Sequence, residues 1–208
     1  IVSGPSLLPT SEQIALVAED GLSYAPTDAM VRLQHPGMER PFAEVWAEGR
    51  TIVALAILAQ LDDDPRWAQL AKRKIDKMLS LTTQKDGYLY LWKTRYRPGE
   101  QPNGAEEPDR WPIIYATGAL GHGSALFYRV TRYEPALKLA RGLARWAVRR
   151  VFCNQDGRWD FHHFHHSLYS LIGALEYALA AQDEEFLSRV DACYRYAREM
   201  GDPLIGYF

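Results

Sequence analysis

DDPRWAQLAKRKIDKMLSLTTQKDGYLYL (Asp63–Leu91) and YEPALKLARGLARWAVRRVFCNQDGRWDF (Tyr133–Phe161) are two versions of one pattern. Pro65 and Pro135 stand 70 residues apart, and so do Asp86-Gly87 and Asp156-Gly157. Each copy reads proline, helical run, then Asp-Gly. A third copy, DEEFLSRVDACYRYAREMGDPLIGYF, starts at Asp183. It lacks the proline, and Gly206-Tyr207 takes the place of the Asp-Gly turn. Self-similarity at fixed spacing is the signature of a repeat architecture.

The helical run in each copy is amphipathic. Trp67, Leu70, Ala71, Ile75, Met78 and Leu79 fall on one stripe, with Lys72, Arg73, Asp76 and Lys77 opposite. Leu139, Ala140, Leu143, Ala147 and Val151 oppose Lys138, Arg141, Arg145 and Arg149. Phe186, Leu187, Val190, Cys193, Ala197 and Met200 oppose Arg189, Arg195 and Glu199. Pro65 and Pro135 suit a first helical turn, where the missing N–H has no intrahelical partner to lose. Before each of these runs lies a more uniformly apolar one: GRTIVALAILAQL, YATGALGHGSALFYRV and HSLYSLIGALEYALAA. A helix apolar all round is buried all round. Gly118, Gly121, Gly123 and Gly173 lie inside these inner helices, each costing ~1 kcal/mol against alanine, so backbones or a ligand are expected to approach closely there.

Inner helix, short turn, outer helix, three times over, is the pattern of an all-α α/α toroid. A six-hairpin ring at this spacing needs roughly twice this length, so the expectation is about half a barrel in one partial domain. Residues 1–43 form a lead-in, and hairpins occupy 44–91, 114–157 and 166–208. In the lead-in, PTSEQIALVAEDGLSY reads as an outer helix capped by Thr10 or Ser11. An open helical solenoid is the alternative, although it has little use for the long loop WKTRYRPGEQPNGAEEPDRWP.

Composition bounds the function. Hydrophobic residues make up 47 % of 208, enough for a core and too many for a disordered chain. A net charge of -2 with scattered basic residues argues against an electrostatically bound nucleic acid. No apolar run reaches the roughly 18 residues of a membrane span. The chain starts at Ile1 and is read as a fragment, so no targeting segment is expected to be visible. Cys153 and Cys193 form no C-x-x-C pair and read as reduced thiols, with a disulfide as the alternative. A cytoplasmic location is the expectation.

In stacked hairpins the loops alternate ends. The inner-to-outer turns are short. The outer-to-inner connectors are long and loaded, and each feeds the N-terminus of an inner helix, where free N–H groups and partial positive charge gather. One mouth should therefore collect Glu44, Trp46, Glu48, Arg50, Arg95, Glu106, Glu107, Trp111, Tyr115, Trp159, Asp160 and the histidines of DFHHFHHS: His162, His163, His165 and His166. Flat rings that stack on sugar faces, with charged groups for hydroxyls, fit a carbohydrate; two carboxylates can serve glycosidic cleavage. The blander readings stand beside this one. A tryptophan here can be core, Glu106-Glu107 a solvated patch, Glu48 and Arg50 ordinary helix-start residues, and His122 a satisfied core histidine. Zinc is disfavoured because His162 and His166 lack an accompanying H-E-x-x-H or a cysteine pair. In an extended stretch, His163 and His165 would face one side. No nucleophile elbow or phosphate-binding glycine loop is present.

At these residues the sequence resembles the bacterial β-L-arabinofuranosidase-like glycoside hydrolases of the six-hairpin superfamily. EGRTIVALAILAQL followed by Gln84, Asp86, Gly87, Tyr88 and Leu89 resembles a G-R-x-L inner helix and a Q-x-x-D-G-Y-L ending. Tyr115 matches a Y-x-x-H-K helix, with Gly118 in place of its histidine. His163 and Gly173 match an H-x-N-x-x-x-P-x-x-x-G helix, with His165 in the asparagine position and Asp183 at its end. The resemblance implies a sugar site at the mouth, with His163 and His165 touching substrate and His162, His166, Trp46, Arg50, Tyr115 and Trp111 around them. The family's acid/base glutamate, cysteine nucleophile and zinc ligands are implied to lie C-terminal to this segment. Catalytic residues and a metal are therefore not assigned here, and the segment alone is expected to be inactive, with the rest of the toroid as its partner. Two other readings stay open: a non-catalytic α/α-repeat binding module, and a polysaccharide lyase using Tyr115 and Arg95.

Overall fold

In a computed structural model the described residues are 17–24, 41–102, 107, 113–152, 154, 156–159 and 164–201. They form six helices in three hairpins. The first is α1 (Val45–Leu61) with α2 (Pro65–Ser80), the second α3 (Ile113–Thr131) with α4 (Glu134–Arg150), and the third α5 (Phe164–Ala181) with α6 (Glu184–Glu199). Four short strands accompany them: β1 (Ala43–Glu44), β2 (Thr83–Lys85), β3 (Tyr88–Tyr90) and β4 (Arg95–Tyr96). This is the all-α hairpin arrangement that the periodicity predicts.

Local chemistry sets the helix starts. Asp64 accepts from the Arg66 backbone N–H at 2.9 Å, and Pro65 occupies the first turn of α2. Pro135 does the same in α4. The third copy, without proline, uses Asp183 instead, whose carboxylate accepts from the Phe186 N–H at 3.0 Å. Asp86-Gly87 is a tight hairpin turn between β2 and β3, with positive φ at both residues, 44° and 83°. That is the type I′ geometry in which Asp-Gly is favoured.

The inner helices α1, α3 and α5 stand side by side, and α2, α4 and α6 cover them from outside. Glycines set the inner spacing. A Cβ at Gly118 of α3 would overlap the Tyr169 carbonyl of α5, and one at Gly173 would come within 2.6 Å of the Gly118 oxygen. Gly49 of α1 and Gly123 of α3 make the same kind of crossing. The close approach expected at these glycines is thus backbone on backbone. Across the seam the Ser170 hydroxyl donates to the Ile114 carbonyl at 2.7 Å.

Position in the arc decides exposure. The middle helix α3 leaves no large apolar side chain exposed among the described residues. The flanking helices do: Ile57 and Leu61 on α1, Ile172 and Leu179 on α5. The rule that apolar-all-round means buried-all-round therefore holds only for α3, because α1 and α5 each have one inner neighbour among the described residues.

A buried ion pair ties the first hairpin together. Lys74 of α2 and Glu48 of α1 meet at 2.6 Å, both essentially inaccessible to solvent. Lys74 also donates to the Ser23 hydroxyl, and the Ser23 backbone N–H donates to Glu48, each at 2.7 Å. Residues 17–24 form a tight turn closed by a Val17–Ser23 bridge, with Leu22 in the core. The end of the expected lead-in helix is therefore this turn. The rest of that expectation, with Thr10 and Ser11, lies outside the described residues, as do Cys153 and Gly206-Tyr207. Cys193 is a buried free thiol.

Candidate functional site

Three connectors reach the same rim. Strand β1, just before α1, pairs antiparallel with β4 from the long loop before α3. The Val45 N–H closes the junction by donating to the Thr94 carbonyl at 2.9 Å. The first turn of α5 brings His165 and His166 to the same end, where the His166 ring lies 4.6 Å from that of Tyr115 in the first turn of α3. All three inner helices therefore start at one rim.

On this rim the side chains interlock. His165 and His166 have ring centroids 4.1 Å apart and edge to face. The Tyr115 hydroxyl is held above the ordinary phenol range by burial and by the nearby Glu44 carboxylate. Glu44 in turn lies 3.6 Å from Arg95. Arg50 of α1 sits over the Trp46 ring, 5.4 Å from its centroid, and donates to the Tyr169 hydroxyl of α5 at 3.3 Å. That bond joins the first and third inner helices across the second, so the face of α3 beneath it is the inside of a curve.

Beneath it lies His122, two turns below Tyr115. Burial lowers its imidazole pKa; Glu176 opposes that shift and Arg50 adds to it. Glu176 of α5 is bound by Arg129 of α3 at 2.9 Å. The inner face thus runs Tyr115, His122, Arg129 on α3 and Tyr169, Glu176 on α5, each step seven residues. Tyr169, His122 and Glu176 were not among the mouth residues expected from sequence. Their signal was polar groups at helical spacing inside apolar runs.

Of the expected site residues, Trp46, Arg50, Tyr115, His165 and His166 come together at this rim. Trp111, His162 and His163 lie outside the described residues, as do Glu106 and Asp160. His165 and His166 stand in the first turn of α5, so the extended reading fails at His165. Three other mouth candidates belong elsewhere. Glu48 is the buried partner of Lys74, because it lies on the face of α1 turned toward α2. Trp159 is buried, donates to the Cys193 carbonyl at 3.3 Å and stacks on Phe164, so it is core.

Glu107 is no solvated patch. Its side chain is 7 % exposed. It accepts from the Tyr88 hydroxyl at 2.7 Å and the Trp146 indole at 3.0 Å, with Lys85 and Arg150 each 3.2 Å away. It pins the connector before α3 to β2, β3 and α4.

Among the described residues, no three His, Cys, Asp or Glu side chains converge to hold a metal ion. The rim carboxylates Glu44 and Glu176 each lie against an arginine instead. The described residues do not make a zinc site. No helix described is long and apolar enough to cross a membrane.

A search of curated proteins returned no match. Comparison with known families matches residues 38–158 to the β-L-arabinofuranosidase, GH127 catalytic domain. The match covers the first two hairpins, both connectors joined by β1 and β4, and the Tyr115 side of the rim. With helical hairpins, loaded connectors and a majority of the chain all in agreement, the chain belongs to the β-L-arabinofuranosidase GH127 catalytic-domain family.

Proposed function

We propose that the rim formed by the N-terminal turns of α1, α3 and α5 binds the sugar of a glycosidic substrate. Glycoside hydrolysis is the chemistry of the family to which the chain belongs. The observation that carries the reading is the convergence of Tyr115, His165, His166, Trp46 and Arg50 from the N-terminal parts of three separate inner helices. Rings of this kind offer apolar faces to a pyranose or furanose, and imidazole and guanidinium N–H groups suit its hydroxyls. Trp111, His162 and His163, which stand shortly before Tyr115 and His165 in the sequence, are assigned to the same sugar.

Each described rim carboxylate is matched to an arginine, so we assign no acid/base pair here. On this reading the chain binds sugar, and cleavage relies on groups other than the described ones. Arg95, the neutraliser named in the lyase reading, lies 3.6 Å from Glu44.

The test is a glycan array displaying arabinofuranosyl and other plant-type oligosaccharides, probed with the wild type and a His163→Ala/His165→Ala double variant. The variant should lose at least about tenfold in affinity, equivalent to ~1.4 kcal/mol, at unchanged urea stability. Equal binding by both proteins would sink the assignment. Release of free sugar by the chain alone would show that catalysis was wrongly placed elsewhere.

A further inference from the structure

The charges on the concave face do not balance. Three arginines reach it among the described residues. Arg95 is matched by Glu44 at 3.6 Å and Arg129 by Glu176 at 2.9 Å. Arg50 has no carboxylate partner among the described residues. Its contacts are the Trp46 ring at 5.4 Å and the neutral Tyr169 hydroxyl at 3.3 Å. It is exposed, yet it is not a loose surface arginine. The indole backs its guanidinium, and the hydroxyl takes one N–H, which leaves further N–H donors for a ligand. His122 lies beneath it on the half-buried inner face of α3. Burial there disfavours the charged imidazole, and its ring N–H suits a glycan oxygen.

We propose that Arg50, with Tyr169 and His122, makes this hollow specific for a glycan carrying a carboxylate, such as one with a uronic-acid unit. This rests on the reading of the rim as a sugar site. A guanidinium backed by a flat ring matches a carboxylate with two parallel hydrogen bonds, which a neutral hydroxyl cannot reproduce. Glu44 and Glu176 do not compete for Arg50, because each is held by its own arginine. The aromatic and imidazole groups at the rim then contact the neutral part of the same chain, above the charged unit.

The experiment is calorimetric titration of the whole chain with two probes of equal length, a tetragalacturonate and a neutral arabino-tetrasaccharide. The acidic glycan should bind about tenfold or more tighter. Its advantage should shrink as ionic strength rises from about 0.05 to 0.5 M. In Arg50→Gln the ratio of the two affinities should fall toward one, and Arg50→Lys should restore part of it. That ratio does not move with a simple loss of folded protein. Equal affinities in the wild type overturn the charge preference and leave the sugar site standing. Binding of neither probe overturns the sugar site itself. Competition by sodium sulfate as effective as by the glycan would reduce the site to one for a free anion and overturn the glycan assignment.

Discussion

The inner helices can be pushed apart at one atom. Gly118→Ala adds a methyl group where the Tyr169 carbonyl of α5 already lies, and no rotamer avoids a Cβ. The obstacle is helix backbone, so α3 and α5 must separate. Overpacking of this kind costs about 1–3 kcal/mol, offset by ~1 kcal/mol of better helix propensity. A contact against rigid backbone belongs at the upper end, which leaves a net loss of about 2 kcal/mol. Gly121→Ala, three residues along the same helix, is the control. Its new methyl would lie 3.8 Å from the Gly173 Cα and 3.9 Å from the Leu143 side chain, ordinary contact distances. That variant should gain up to ~1 kcal/mol. Urea unfolding of both, at equal m-value, reads the difference. Separation of α3 from α5 should also loosen the Tyr115–His166 contact, one turn above Gly118, and weaken glycan binding in Gly118→Ala. Equal changes of one sign in the two variants would refute the claim that glycines set this seam.

Lys74→Met should destabilise by about 3–5 kcal/mol, because Glu48 is left buried and uncompensated; Glu48→Gln/Lys74→Met should recover part of that in the same urea assay. Glu107→Ala should cost about 3 kcal/mol, since the Trp146 indole and Tyr88 hydroxyl lose their acceptor. Burial by itself would raise the Glu107 pKa, but the Tyr88 and Lys85 hydrogen bonds and the Arg150 charge together bring it below the ordinary 4.5. Its stabilisation is therefore complete above pH 4.5 and lost as pH falls through the depressed value. Urea midpoints measured from pH 7 to pH 3 should fall less steeply in Glu107→Gln than in the wild type. Burial pushes the Cys193 thiol up to about 11. Iodoacetamide at pH 8 should leave the Cys193 peptide unlabelled in the native protein and label it in urea, as read by mass spectrometry.

Much of this arrangement is legible in the chain itself. The paired Pro and Asp-Gly positions, 70 residues apart, mark where outer helices start and where the chain turns. The apolar runs mark which helices go inside. Residues in contact within one helix or turn are set by period and propensity, and those readings hold: Pro65 and Pro135 open helices, and Asp86-Gly87 turns. Lys74 was readable too, since it sits on the apolar stripe between Leu70, Ala71 and Met78. A lysine on such a stripe calls for a buried acid.

What tertiary structure decides is which residues meet between helices. Glu48 and Arg50 are two residues apart, and a helix turns about 200° over that step. One therefore enters the first hairpin while the other faces the hollow. Trp159 and His166 leave the same connector, yet one stacks into the core and the other against Tyr115. The sequence by itself determined the helices, their order, their inner and outer roles and the loaded connectors, because these follow from local periodicity. The rim itself, with Arg50 against Tyr169 and His122 beneath, depended on the depth to which three inner helices slide together. That depth is set by glycine backbones touching across the seams, an interaction between residues far apart in the chain.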